Sequence, residues 1–414
     1  MNYGSRHEYA RINGKSMDSK PGATSRETRR RWAILGVIYL CVLAFAVTLQ
    51  SVPPILSLVM AELDLSHTQG GLLMSLFALP GIIVSIPAGM LADRYGQKSL
   101  GIVSLILIIS GAVIFASGSS LPILGLGRIV AGMGAMTLVV LAPQLLAQWF
   151  VGREMGIATG IYTTAMPLGT ILSLNFLSLL GQSFGWRASA WLSAGLPVVA
   201  LVIFVLFFAP APRRSQPITR RPVGLFQNIK SAGTPIWFVG AAWMLFNASG
   251  ISLFTFTPDL LKGTGVSIAS AGFLTSLVML PALVISPLIG YVIHKIDRKR
   301  TIIAIGGVAM AILVVSVPTA TGWILVLMLL IGVAQVLIPT PIFALVPEVI
   351  SLERVGLGYG IIAASQNLGI VIGPAAVGLV RDVTSSYQAS YALMAILSFL
   401  VMVDMFILNR RKNG

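Results

Sequence analysis

Twelve apolar runs, each long enough to cross a bilayer, follow one another along the chain and leave few ways to fold it. About 20 helical residues span the ~30 Å hydrocarbon core, and runs of that size lie at 33–59, 69–92, 100–118, 122–148, 156–182, 188–209, 235–261, 268–293, 301–319, 322–346, 356–380 and 386–408. Lipid offers no partner to backbone N–H and C=O groups, so runs of this length are expected to be helices. Composition agrees, since 56% of the 414 residues are hydrophobic and only 10% are charged, against roughly 25% charged in a soluble domain. The fold class expected is all-α integral membrane, with twelve transmembrane helices seated in the lipid bilayer.

The position of the bases sets the orientation. A net charge of +15 would suit nucleic acid if the bases formed one patch on a folded surface. They are instead sorted by loop: placing both termini and every second loop on one side collects there all of the 28 Lys and Arg except Arg128, Arg187, Lys262 and Arg381. Cytoplasmic loops carry this bias, so both termini are expected to be cytoplasmic and no nucleic-acid partner is expected. Residues 1–31 read as a disordered basic tail and 32–209 as a six-helix bundle. The stretch 210–234, with Pro210, Pro212, Pro217 and Pro222, reads as a cytoplasmic linker to a second six-helix bundle at 235–408, and 409–414 as a basic C-terminus. Short loops, and a single glycosylation-type tripeptide (Asn247-Ala248-Ser249) buried in mid-span, point to a prokaryotic inner membrane.

The two bundles repeat one another. At an offset of 201, Gly71, Leu73, Ser75, Leu76, Leu79, Pro80, Ser85, Gly89 and Lys98 fall on Gly272, Leu274, Ser276, Leu277, Leu280, Pro281, Ser286, Gly290 and Lys299. At an offset of 200, Gly156, Gly160, Ile161, Leu168 and Gly169 fall on Gly356, Gly360, Ile361, Leu368 and Gly369. Six spans return the chain to its starting side, so the repeats are parallel and related by an axis along the membrane normal, an arrangement in which one half rocks against the other around a central site. Gly156-x-x-x-Gly160 and Gly356-x-x-x-Gly360 read as faces for close helix packing.

Between spans 2 and 3 stands Gly-Met-Leu-Ala-Asp-Arg-Tyr-Gly-Gln-Lys, residues 89–98, a charged stretch that reads as a tight hairpin. It resembles the signature loop of the major facilitator superfamily, Gly-x-Leu-Ala-Asp-Arg-x-Gly-Arg-Lys, with Gln97 in place of the first final base. Arg128-x-x-x-Gly132-x-Gly134-Ala135 is similar to that superfamily's second motif, Arg-x-x-Gln-Gly-x-Gly-Ala, with Ala131 replacing the glutamine. The resemblance implies a gating loop of Gly89, Asp93, Arg94, Gly96 and Lys98 that latches the two halves. Asp93 would then meet the start of span 11 near Gly356, and Arg94 or Lys98 would pair with Glu154. It also implies a cavity lined by spans 1, 4, 7 and 10, and a proton-coupling role near Arg128.

Candidate site residues follow from polarity inside apolar spans. Arg128 lies six or seven residues into span 4, roughly 9–10 Å from the boundary at 1.5 Å per residue, where a bare guanidinium costs about 2.5 kcal/mol or more. It reads either as a structural arginine bonded to helix carbonyls or as a cavity-facing cation that meets an anionic solute. Tyr162, Asn247, Gln335 and Gln366 complete the expected substrate-binding set, with Trp243 one turn from Asn247. None of spans 1–6 holds a carboxylate deep in the bilayer, which disfavours a cationic solute, and Asp404 is expected to pair with the basic end near Arg410. His7, His67 and His294 are too far apart for metal-ligand spacing, Cys41 stands alone, and no phosphate loop or nucleophile elbow occurs in a suitable context. No metal, cofactor or enzymatic activity is therefore expected. The expected function is secondary transport of a small organic or inorganic anion by a monomer, with protons as a coupling ion; efflux of hydrophobic compounds and a non-transporting receptor are the alternatives.

Overall fold

A computed structural model describes residues 25–150, 153–209, 233–286, 289, 298–320, 322–351 and 354–413, with the backbone alone at 25–28, 85–91, 93 and 411–413. Twelve helices are long and apolar enough to cross a membrane: α1 (Arg29–Leu63), α2 (His67–Val84), α3 (Gln97–Ser117), α4 (Leu121–Trp149), α5 (Glu154–Phe184), α6 (Trp186–Phe207), α7 (Thr234–Gly263), α8 (Ile268–Ser286), α9 (Lys299–Thr319), α10 (Ile324–Val349), α11 (Val355–Thr384) and α12 (Tyr387–Arg410). Each coincides with one apolar run. Residues 1–24 and 210–232, most of the expected tail and linker, lie outside the described residues, and so does 290–297, the counterpart of the signature loop. Helix begins at Ser25, inside the stretch read as a disordered tail, and α7 starts at Thr234, the last residue of the expected linker.

The signature stretch is mostly helix rather than hairpin. α2 continues without a break to Tyr95, and α3 starts at Gln97. The whole turn is carried by Gly96 at φ 83°, a left-handed value that costs an L side chain about 1–2 kcal/mol and glycine almost nothing. Arg94 lies over the ring of Tyr95, with 5.3 Å to the centroid.

α1 is broken in its middle. Pro53 and Pro54 bring no N–H to the helix, so the carbonyls four residues back, on Leu49 and Gln50, lose their intrahelical partners. Leu49 O accepts instead from Arg128 Nη2 at 3.0 Å, and Gln50 O from Ser173 Oγ at 2.6 Å. Ser173 opens a π-helical turn, Ser173–Leu177, in α5, a local widening common near functional sites. The break in one helix and the bulge in the other thus face each other.

Among the described residues, the hydrogen bonds between the two halves gather at one end. They run from His67 and Thr68 to Asp382, from Asn175 to Ser276 and from Ala269 to Gln182. All lie away from the face at which α1 begins and α12 ends, hereafter the terminal face, and toward the opposite, distal face. Close backbone approach accompanies them. A Cβ on Gly71 of α2 would stand 2.2 Å from Pro374 O of α11, and one on Gly272 of α8 would stand 2.1 Å from Leu174 O of α5. Toward the terminal face, on α5 and α11, a Cβ added at Gly156, Gly160 or Gly360 would find nothing within 4 Å. The Gly-x-x-x-Gly faces expected to pack are exposed here, and two ion pairs among the described residues at this face, Arg31–Glu154 and Lys299–Glu348, both at 2.6 Å, each lie within one half.

Candidate substrate site and gates

Arg128 is buried and saturated. Its Nε donates to Leu73 O of α2 at 2.8 Å, Nη1 to Thr48 O at 2.8 Å and Ser51 Oγ at 3.4 Å, and Nη2 to Leu49 O, while the face of Phe77 lies 4.4 Å away. The acceptors are neutral, and one of them, Leu49 O, is a carbonyl exposed by the proline break. Of the two readings open from sequence, the geometry matches the structural one: the buried guanidinium clasps broken α1 to α2 and α4. The glycines of its motif serve the same packing, since a Cβ on Gly132 would stand 2.0 Å from Phe77 O and one on Gly134 2.2 Å from Ser104 O.

Three of the remaining candidates come together in the second half. Trp243, Asn247 and Gly250 follow at i, i+4 and i+7 on one face of α7. Trp243 Nε1 donates to Gln366 Oε1 of α11 at 3.4 Å, and Gln335 of α10 packs against the bare backbone of Gly250, where a Cβ would lie 3.1 Å from Nε2. Asn247 spends one donor on Trp243 O at 2.8 Å. Trp243 also stacks on Phe246 at 5.2 Å and meets Phe343 edge-on at 5.2 Å, so the amides border an aromatic wall. Tyr162 sits apart, half-buried on α5 in the first half; nearby, Tyr39 OH and Thr164 Oγ1 lie 3.2 Å apart across α1 and α5.

The gating residues divide differently from expectation. Gly89 and the Asp93 side chain lie outside the described side chains. Glu154 pairs with Arg31 at 2.6 Å, not with Arg94 or Lys98, because the helix that begins at Ser25 carries Arg31 to the start of α5, while Lys98 stands exposed at the start of α3. Asp404 does not reach Arg410. Its Oδ2 is buried with no hydrogen-bond partner among the described residues, and Arg410 lies over Phe406, with 4.6 Å to the centroid.

Two features stand outside the site set expected from sequence. Gln50, fully buried at the α1 break, leaves both side-chain amide atoms without a hydrogen-bond partner among the described residues; the Pro53-Pro54 pair three residues on was the available signal. His67, set aside for want of metal-ligand spacing, meets Asp259 at 3.3 Å and Asp382 at 3.1 Å. The convergence of α2 with α7 and α11 brings these residues together, Asp382 from 315 positions away in sequence.

Two parallel-related six-helix bundles around a polar midline, closed against each other at one end, define a polytopic membrane transporter. The sequence profile of the Major Facilitator Superfamily matches residues 38–263 and 238–413, and the chain belongs to that superfamily. It is similar to the lysosomal dipeptide transporter MFSD1 of Danio rerio, 21% identical over 413 residues that cover 92% of this chain and 88% of the relative. It is likewise similar to the hexuronate transporter of Bacillus subtilis, 24% identical over 363 residues covering 80% and 83%. Its fold matches the crystal structure of a bacterial homologue of the human lysosomal transporter Spinster, in an inward-facing and occupied conformation, with TM-score 0.77 and 15% identity over 92% of this chain and 97% of that one.

Proposed function

We propose that this chain is a secondary active transporter that carries a small anion across a prokaryotic inner membrane by alternating access, as a monomer and with protons as the coupling ion. The observation that carries this reading is the one-sided closure of the bundles. Their distal ends touch through backbone and hydrogen bonds, while the matching glycines toward the terminal face stand open. If the base-rich terminal face is cytoplasmic, as the positive-inside bias requires, this is an inward-open state.

An anionic solute is supported by the similarity to a hexuronate transporter and by the lack of a deep carboxylate in spans 1–6 that would hold a cation. In this account the solute meets Gln335, Gln366 and Asn247 beside Trp243, with Tyr162 and the unsatisfied amide of Gln50 facing from the first half. Arg128 holds the shape of α1 and stands outside the contact set. The aromatic wall gives a sugar ring an apolar face to lie on, and the amides supply donors to a carboxylate.

Uptake of radiolabelled D-glucuronate by proteoliposomes tests the reading. Saturable uptake, raised by an inward proton gradient and lowered about tenfold or more in Gln366→Leu, is the expected result; a lost buried hydrogen bond to a charged group is worth about 1.5–3 kcal/mol. Equal uptake of a neutral hexose, or no effect of Gln366→Leu and Gln335→Leu together, would overturn the anion assignment.

A further inference from the structure

The contact that fastens the distal face is chemically asymmetric. His67 opens α2 in the first half, and both of its carboxylate partners, Asp259 on α7 and Asp382 on α11, belong to the second. Asp382 Oδ1 accepts from the His67 backbone N–H at 2.9 Å, and Oδ2 accepts from Thr68 N at 2.8 Å and Thr68 Oγ1 at 2.5 Å, so this carboxylate caps the first turn of a helix in the other bundle. Asp259 accepts from Tyr387 OH. The imidazole then stands between the two acids, Nδ1 3.1 Å from Asp382 Oδ1 and Nε2 3.3 Å from Asp259 Oδ2. A neutral imidazole has one N–H and one lone pair, so it donates to one carboxylate and turns a lone pair on the other. The imidazolium alone donates to both.

We infer that His67 is a proton-binding site whose occupancy holds the distal gate shut. This inference rests on the alternating-access reading above. Opening the distal face separates His67 from both acids at once, because both ride on the opposite half, so the ring holds a proton more tightly in the closed state than in the open one. The charged and titratable groups around the ring are these two aspartates, Tyr387 edge-on at 5.9 Å, and Arg381, whose guanidinium lies over the Tyr387 ring at 4.5 Å to the centroid. Glu62, the acid closest in sequence to His67 on α1 apart from Asp64 in the intervening turn, is occupied by Trp186 Nε1 at 2.7 Å and by Arg187. The His67 side chain is 25% exposed, enough for protons to exchange with the distal solution.

Linkage fixes the sign. A proton bound preferentially by the closed state raises the closed population as pH falls and releases it as pH rises through the imidazole range. Each unit of difference in proton affinity between the two states changes the closed-to-open ratio by about tenfold. The ligand is a proton taken from the distal side, and the gate it controls is the one through which solute enters from that side.

Spin labels at Ala61→Cys and Gln388→Cys, exposed positions on opposite halves of the distal face, report the opening in a Cys41→Ser background in nanodiscs between pH 5.5 and 8. The short-distance fraction should fall with rising pH in the parent, lose its pH dependence in His67→Gln, and stay high at every pH in His67→Lys, whose charge does not titrate in this range. Two distance populations that ignore pH, or that respond equally in His67→Gln, overturn the proton site and leave alternating access standing. A single distance at every pH in all three proteins overturns both.

Discussion

Arg128 shows how one residue can be read correctly as anomalous and still be pointed the wrong way. Its depth in an apolar span signals that polar partners must exist; that those partners are carbonyls of α1 and α2, one of them the Leu49 carbonyl exposed by Pro53 four residues downstream, depends on helix geometry that no single position displays. Replacing Arg128 by Ala leaves the Leu49 carbonyl unpaired in the core, at about 1–3 kcal/mol for a buried unsatisfied group, and removes the ties to Thr48 O and Leu73 O. We expect a clear fall in the thermal midpoint of the detergent-purified protein, only partly recovered in Arg128→Lys, whose ammonium lacks the planar fork. An unchanged midpoint in Arg128→Ala would refute the clasp. Glu154→Gln should behave otherwise. Its partner Arg31 is bound at a site where the Glu154 side chain is 42% exposed, and such pairs contribute about 0–1 kcal/mol, so the same thermal scan should barely move.

At the scale of helices, the apolar runs and the internal repeat made nearly all of the architecture legible: every span was placed, and the parallel pairing of halves followed from matching residues such as Gly71 with Gly272. What stayed hidden was which glycines touch. Gly71 and Gly272 both pack against a backbone of the other half, whereas Gly156, Gly160 and Gly360, indistinguishable from them by sequence, face open space. The difference lies in conformational state, which one sequence serves in more than one form. The signature stretch was misread for a related reason: a charged run between apolar ones resembles a loop, yet the charge sits on the last turns of α2 and a single left-handed glycine makes the turn. Gly96→Ala should cost about 1–2 kcal/mol in a denaturation series, with no such penalty for Gln97→Ala at the next position. Gly71→Leu should wedge α2 away from Pro374 and raise the labelling rate of a cysteine placed at Thr68 on the distal face; a rate equal to the parent would mean that the contact does not govern opening.

In the whole molecule, the proposed alternating access has the two bundles share one solute site and open to one face at a time. The fold, the family and the basic bias of one face were readable from sequence. The site was readable in part, because Asn247, Gln335 and Gln366 are isolated amides in apolar spans, while the gate at His67 required three helices from two halves to converge. The most direct test of the central claim pairs the Gly71→Leu wedge with a distance at the other end of the molecule. Spin labels at Gln148→Cys and Asn409→Cys, both exposed at the terminal face and on opposite halves, are compared with and without the wedge. Alternating access predicts that forcing the distal face apart shortens the terminal distance, as the bundles rock about the solute site. A terminal distance that stays fixed or lengthens while the distal face opens would contradict it.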